Sequence, residues 1–224
     1  MLGLTQDLFQ NIFLIFGDNM KCVITGHSSG IGMALFIHYS KQGWHARGMS
    51  RTNGYDISYD INRIVDEAKD CDLFINNAYD GKHQLALTKA LSTVVPKIVV
   101  MGAAITDHID LVDSEYARNK KELEDFCRIE SLKPNVADIL FLKISFAETE
   151  LNRPKEPRID SDFVVTYDEI AKVIDFWLAN PKIRQIDFRV KLTDYTVESI
   201  KRKVGDSASN YLNDLFLKYD GNPQ

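Results

Sequence analysis

The chain has 224 residues, 45% hydrophobic and 26% charged, with 27 Lys and Arg against 32 Asp and Glu for a net charge of −5. This is the balance of a folded globular protein, and it excludes a disordered chain, a collagen-like repeat and a coiled coil. No Lys/Arg-rich block gives nucleic acid a footing, and three widely separated cysteines (Cys22, Cys71, Cys127) suggest neither a disulfide framework nor a zinc site, which fits a reduced, cytoplasmic setting.

Residues 1–19 read as an N-terminal extension. Its apolar run Ile12–Phe16 is too short to span a bilayer, and no Lys or Arg precedes Lys21 to make a secretory leader. We read it as packing an apolar helix face onto the body or onto a partner. From Met20 the chain alternates short apolar runs with helix-period stretches, the pattern of βα units around a parallel sheet. Strands are expected at Cys22–Thr25, His45–Met49, Leu73–Asn76, Ile98–Met101, Ile139–Ile144 and Ile186–Val190. Helices are expected at Ile31–Lys41, Ile61–Lys69, His83–Thr93, Ser114–Ser131 and Asp168–Ala179. The last is the best marked. Thr166 and Glu169 have capping-box spacing, Ile170, Val173, Ile174 and Trp177 share one face, and Asn180-Pro181 ends it. With no Gly-, Ser- or Pro-rich linker, residues 20–190 form one α/β domain with a doubly wound parallel sheet. Residues 191–224 form a C-terminal extension of two helices, suited to covering a sheet edge or a subunit interface.

Between the first strand and the first helix lies Thr25-Gly26-His27-Ser28-Ser29-Gly30-Ile31-Gly32. Glycines here let the backbone turn tightly and approach a pyrophosphate, which the helix N-terminus then meets with free N–H groups. These eight residues match the TGxxxGxG loop of the short-chain dehydrogenases/reductases. The resemblance continues in order along the chain. Asn76-Asn77-Ala78 is similar to that family's Asn-Asn-Ala-Gly motif, with Tyr79 in place of the glycine. Tyr116-Ala117-Arg118-Asn119-Lys120 matches its YxxxK, and Thr166–Val190 is similar to its late helix and final strand. The resemblance covers about residues 20–190 and implies a Rossmann-like fold, a nicotinamide cofactor and a homodimer or homotetramer.

A carboxylate near the end of the second strand would select the ribose 2′-hydroxyl of NAD. Here Ser50 stands in its place with Arg51 beside it, so NADP(H) is preferred over NAD(H). Asp56-Ile57 resembles the family's Asp-Val pair at the adenine edge, and the few residues between Arg51 and Asp56 leave one βα unit abbreviated. The cofactor set implied is therefore Gly26, His27, Ser28, Ser29, Gly30, Ile31, Gly32, Ser50, Arg51, Asp56, Ile57, Asn77, Ala78, Lys120 and Thr149. The last of these falls in Ser145-Phe146-Ala147-Glu148-Thr149, the place of the family's Pro-Gly segment.

Tyr116 and Lys120, four apart, share a helix face. The family's tyrosine gives the proton and its lysine lowers the tyrosine pKa and holds the cofactor ribose. Counting back thirteen residues from Tyr116, the position of the family's serine falls on Ala103, and Thr106 is the nearest hydroxyl that could replace it. Asn152–Asp162 is the expected substrate lid. The five histidines (His27, His38, His45, His83, His108) lack ligand spacing, so no metal is expected, and Ser28 and Ser29 have no triad partners. The leading reading is an NADP-dependent reductase of a small carbonyl compound, a soluble protein with a small-molecule substrate and neither nucleic acid nor membrane as partner. Two others stand beside it: a non-catalytic NADP-binding or sensor protein that lost the serine, and a sugar-nucleotide epimerase or dehydratase, against which the short lid argues.

Overall fold

In a computed structural model of the chain, residues 19–109, 114–144, 147 and 165–188 are described. Among them, six strands form one parallel sheet: β1 (Lys21–Thr25), β2 (His45–Met49), β3 (Leu73–Asn76), β4 (Lys97–Met101), β5 (Asp138–Ile144) and β6 (Gln185–Phe188). Five α-helices connect them: α1 (Gly30–Lys41), α2 (Ile61–Ala68), α3 (His83–Leu91), α4 (Glu115–Glu130) and α5 (Tyr167–Ala179). Every expected strand and helix in this range is present, with ends moved by one or two residues, as helix and strand termini commonly are. The N-terminal residues 1–18, Ser145-Phe146, Thr149, the expected lid and the C-terminal extension 191–224 lie outside the described residues.

The central strands β1, β3, β4 and β5 are mostly apolar because both faces are covered, whereas the edge strands β2 and β6 are mixed. Cys22 and Ile24 of β1, Val99 and Met101 of β4, and Leu140 and Leu142 of β5 meet Leu35 and Tyr39 of α1 and Ile170, Ile174 and Trp177 of α5. The alternate residues, among them Val23, Ile98, Val100 and Ile139, meet Ile64 of α2, Leu87 and Leu91 of α3, and Leu123 and Cys127 of α4. Helix α5 starts as its sequence dictates. The Thr166 hydroxyl accepts from the Glu169 N–H at 3.2 Å, and the Glu169 carboxylate accepts from the Thr166 N–H at 2.8 Å. Its buried Asp175 accepts hydrogen bonds from Tyr39 and Gln42 and pairs with His38 at 2.9 Å, tying α5 to α1.

The strand order is β2-β1-β3-β4-β5-β6, so the chain reverses its direction of travel across the sheet between β1 and β3. In open α/β sheets, ligands enter the crevice beyond the strand C-termini at such a reversal. The loops that follow β1 and β3 are the two that flank it here.

Candidate functional site

The loop after β1 is shaped by two glycines in the left-handed region, Gly26 at φ +69° and Gly30 at φ +53°. A Cβ on Gly32 would stand 2.3 Å from the Gly26 carbonyl oxygen and 2.6 Å from Asn77 Nδ2, so only glycine lets α1 close onto the turn. The turn is also locked to the neighbouring strand. The buried Thr25 hydroxyl accepts from the Asn77 and Ala78 N–H groups, both at 3.0 Å, and Asn77 Nδ2 donates to the Thr25 carbonyl at 3.1 Å. Asn77 and Ala78 thus brace the loop. Helix α1 begins with no side-chain cap on its first turn and no acidic residue there. Ser28 and Ser29 are exposed at its mouth, whereas Ile31 packs partly into the core and the His27 ring packs 5.4 Å from that of Phe36.

At the end of β2, the Ser50 and Thr52 hydroxyls are 2.7 Å apart, and Asn53 closes a short 3₁₀ turn over Arg51–Asn53 by accepting from the Ser50 N–H at 2.8 Å. The Arg51 side chain is exposed, and its guanidinium makes no hydrogen bond or ion pair among the described residues. Asp56 accepts from the Ser58 N–H at 2.9 Å and the Ser58 hydroxyl at 2.7 Å. Those bonds, with the charge of Arg51 nearby, hold its carboxyl below the usual carboxylate range. The Ile57 side chain is buried in the core with Tyr55 and Ile64, which leaves its backbone to face the expected adenine edge.

On the far side of the crevice α4 carries Tyr116 in its first turn and Lys120 one turn on, facing the same way as expected. Their electrostatics are the reverse of the expectation. The Lys120 ammonium points into the protein, donating to Gln84 Oε1 at 2.7 Å and to the Met101 carbonyl at 2.8 Å, and lies 5.8 Å from the centroid of the Tyr116 ring. Burial pulls its pKa down to about 7, while burial and then the neighbouring Tyr79 push the Tyr116 hydroxyl up.

Two residues of this site escaped the sequence reading. Gln84 of α3 is buried, donating to the Asn76 carbonyl at 2.9 Å and to the Met101 carbonyl at 3.2 Å while it accepts from Lys120. Its signal was a polar pair, Gln84 and Thr88, on the helix face that also carries Leu87 and Leu91. Tyr79, noted only as a departure from a glycine, sets its ring edge-on to Tyr116 with centroids 4.9 Å apart and stands 5.0 Å from Lys120 Nζ. Thr106 spends its hydroxyl inside its own turn. It is buried, and its hydroxyl donates to the Ala103 carbonyl at 3.1 Å, capping the short turn Ala104–His108 from within. Ala103, at the end of β4, supplies no hydroxyl of its own.

Among the described residues no helix is long and apolar enough to cross a membrane, and no group of three or more His, Cys, Asp or Glu could hold a metal ion. No protein-family model matches the chain, and no curated protein is similar to it in sequence. Solved structures are similar in fold. A short-chain dehydrogenase/reductase (glucose/ribitol dehydrogenase) from Brucella melitensis superposes with a TM-score of 0.62 at 16% identity, over 78% of this chain and 97% of that one. A 3-ketoacyl-(acyl-carrier-protein) reductase from the same organism, complexed with NADH, gives 0.61 at 16% identity over 75% and 96%. An NAD(P)-dependent gluconate 5-dehydrogenase (a putative assignment) from Beutenbergia cavernae, with bound NADP, gives 0.58 at 15% identity over 75% and 94%. The fold is the Rossmann-like α/β fold of the short-chain dehydrogenases/reductases, as the sequence motifs imply.

Proposed function

We propose that the chain is an NADP(H)-binding oxidoreductase of the short-chain dehydrogenase/reductase type, acting on a small carbonyl compound or the corresponding alcohol. In this reading it works in the cytoplasm as a homodimer or homotetramer. The observation that carries the reading is the Gly26–Gly32 turn. Two left-handed glycines and a third packed on a carbonyl aim an uncapped helix end, free of acidic side chains, at the crevice where strand order reverses. Such an end presents N–H groups and the positive end of the helix dipole to a pyrophosphate. The hydroxyls of Ser50 and Thr52 and the unpaired guanidinium of Arg51 suit a 2′-phosphate, and no carboxylate stands at Ser50 to repel it.

Bound at this site, NADPH would supply the hydride. The remaining chemistry belongs to the chain. Tyr116 has a raised pKa, so it is fully protonated at neutral pH and equipped to give its proton to a developing alkoxide. Lys120, one turn along α4, donates inward to Gln84 and the Met101 carbonyl and keeps one donor that a ligand hydroxyl could take. The wall at Ala103 offers no hydroxyl to the substrate oxygen. Because an oxyanion donor typically contributes about 10²–10³ in kcat, turnover on this framework is slow. The non-catalytic NADP-binding reading draws on two observations: the Thr106 hydroxyl is committed to the Ala103 carbonyl, and Tyr79 covers Lys120.

The test is a calorimetric titration with NADPH and NADH, followed by a carbonyl panel with wild type and Tyr116→Phe. Arg51→Glu is expected to weaken NADPH by about tenfold or more, roughly the loss of one charge-assisted bond, and to leave NADH within about threefold. Equal loss for both nucleotides would refute the 2′-phosphate assignment. Turnover that survives Tyr116→Phe would remove Tyr116 from the chemistry, and binding without turnover would favour the non-catalytic reading.

A further inference from the structure

The face of α4 that carries Tyr116 and Lys120 also carries Asn119, at the i, i+3 and i+4 positions of one helix patch. The Tyr79 side chain lies on that patch. Its ring is edge-on to Tyr116 at 4.9 Å and 74°, its hydroxyl accepts from Asn119 Nδ2 at 3.4 Å, and its face is 5.0 Å from Lys120 Nζ. Beneath, Lys120 spends two donors on Gln84 and Met101. An ammonium has three, so one remains for whatever stands on the outer side, where the aromatic ring now stands. Lys120 is only 3% exposed, enclosed by Gln84 and Met101 beneath and the Tyr79 and Tyr116 rings beside it. The Tyr79 ring is lightly held. Tyr79 is 40% exposed, and its one side-chain hydrogen bond among the described residues is long, whereas the Asn77-Ala78 base of its loop is pinned to Thr25.

We propose that Tyr79 is a specificity-determining residue of the dinucleotide site: its ring takes the place over Lys120 that a ligand diol would need, so the site accepts the adenosine-phosphate half of the ligand as it stands and the nicotinamide half only when the ring turns out. This rests on the NADP(H) reading above. The side chain's ring and hydrogen-bond contacts among the described residues are with α4, at Tyr116, Asn119 and Lys120, so 2′,5′-ADP, which lacks the nicotinamide half, is expected to bind independently of Tyr79. A site open about a tenth of the time binds about tenfold more weakly than one always open, which sets the size of the effect.

Two measurements test this on wild type, Tyr79→Gly, Tyr79→Ala and Tyr79→Phe, each checked for folding by circular dichroism. The first is calorimetric affinity for NADPH and for 2′,5′-ADP. Removing the ring is expected to tighten NADPH by about tenfold while 2′,5′-ADP stays within about twofold, and Tyr79→Phe, which keeps the ring, is expected to behave as wild type. The second is the rate at which an acetylating reagent modifies Lys120 in the absence of nucleotide, read by peptide mass spectrometry. It is expected to rise about tenfold in the Gly and Ala variants only. Equal labelling of Lys120 in all four proteins, or 2′,5′-ADP binding with no gain for NADPH, overturns the proposal and leaves the cofactor reading standing. Faster labelling in proteins that bind neither nucleotide upholds the cover and overturns the cofactor reading instead.

Discussion

Replacing Lys120 by Met isolates the cost of burying an ammonium. Lys120 is 3% exposed, and burial lowers its pKa from 10.5 to about 7, a displacement worth about 5 kcal/mol across the full titration. Below pH 7 the lysine is charged in both folded and unfolded chains, and the folded state carries the whole penalty. Between about 7 and 10.5 the unfolded chain holds a proton that the folded chain has released, so stability rises with pH. From pH 6 to pH 9.5 the gain is about 3 kcal/mol. The buried thiols work the other way, since Cys22, Cys71 and Cys127 are all held protonated by burial while unfolded thiols ionise. Cys22 and Cys71 do so in both proteins, and Cys127, which Lys120 pulls down against the larger effect of burial, is held up still more firmly in the variant. Lys120→Met also leaves Gln84 Oε1 without its donor, a pH-independent offset of about 1–3 kcal/mol. Urea denaturation at half-unit pH intervals therefore gives two curves that diverge by about 3 kcal/mol across this window, wild type gaining on the variant as pH rises. Parallel curves would refute the claim that Lys120 is held in a desolvated site.

Two further outcomes follow from the geometry of the loops. Gly32→Ala forces a Cβ to within 2.3 Å of a backbone carbonyl that cannot yield, so thermal unfolding should show a loss of about 1–3 kcal/mol together with weakened nucleotide binding. An unchanged melting temperature would contradict the contact. Ala103→Ser restores a hydroxyl at the end of β4 and is expected to raise kcat for a carbonyl substrate by about tenfold or more, whereas Thr106→Val, whose hydroxyl is used inside its own turn, should leave kcat within about threefold. A large loss of turnover in Thr106→Val would show that Thr106 reaches the substrate after all.

Much of the fold is legible in the residues because parallel strands covered on both faces must be apolar throughout, and β1, β3, β4 and β5 announce themselves that way. Helix α5 is legible because Thr166 and Glu169 spell out its first turn. The glycine turn is legible since φ near +60° and a 2.3 Å approach leave few alternatives to glycine. What the sequence does not disclose is direction. YxxxK places Tyr116 and Lys120 on one face, but whether the ammonium reaches outward to a ligand or inward to Gln84 and Met101 depends on a partner 36 residues away. The same holds for Thr106, whose hydroxyl finds the Ala103 carbonyl within its own turn before anything more distant. Tyr79 is visible as a departure, yet its meaning depends on the long-range packing of its loop against α4.

The departures from the family pattern are distributed in a way that physical constraint explains. A wider doubly wound sheet would place another strand outside β2, and among the described residues β2 is the edge. Met49 gives its carbonyl to the Gly26 N–H on the β1 side, so the Gly48 carbonyl points outward, and Asn53 Nδ2 donates to it at 2.8 Å in place of a neighbouring strand. Farther down that edge, Arg47 binds the Tyr55 hydroxyl and Glu67, and Arg63 lies over the Tyr55 ring at 4.2 Å, a charged margin that discourages pairing with another chain. Removing a strand there costs the crevice nothing, since its walls are the ends of β1, β3 and β4. Tyr79 and Ala103 are different in kind, because they follow β3 and β4 and stand at the crevice itself. The glycine turn is thus held under tight steric constraint while the ends of β3 and β4 depart from the pattern, and on the proposed reading that asymmetry predicts that binding of the adenosine-phosphate half and turnover are separable.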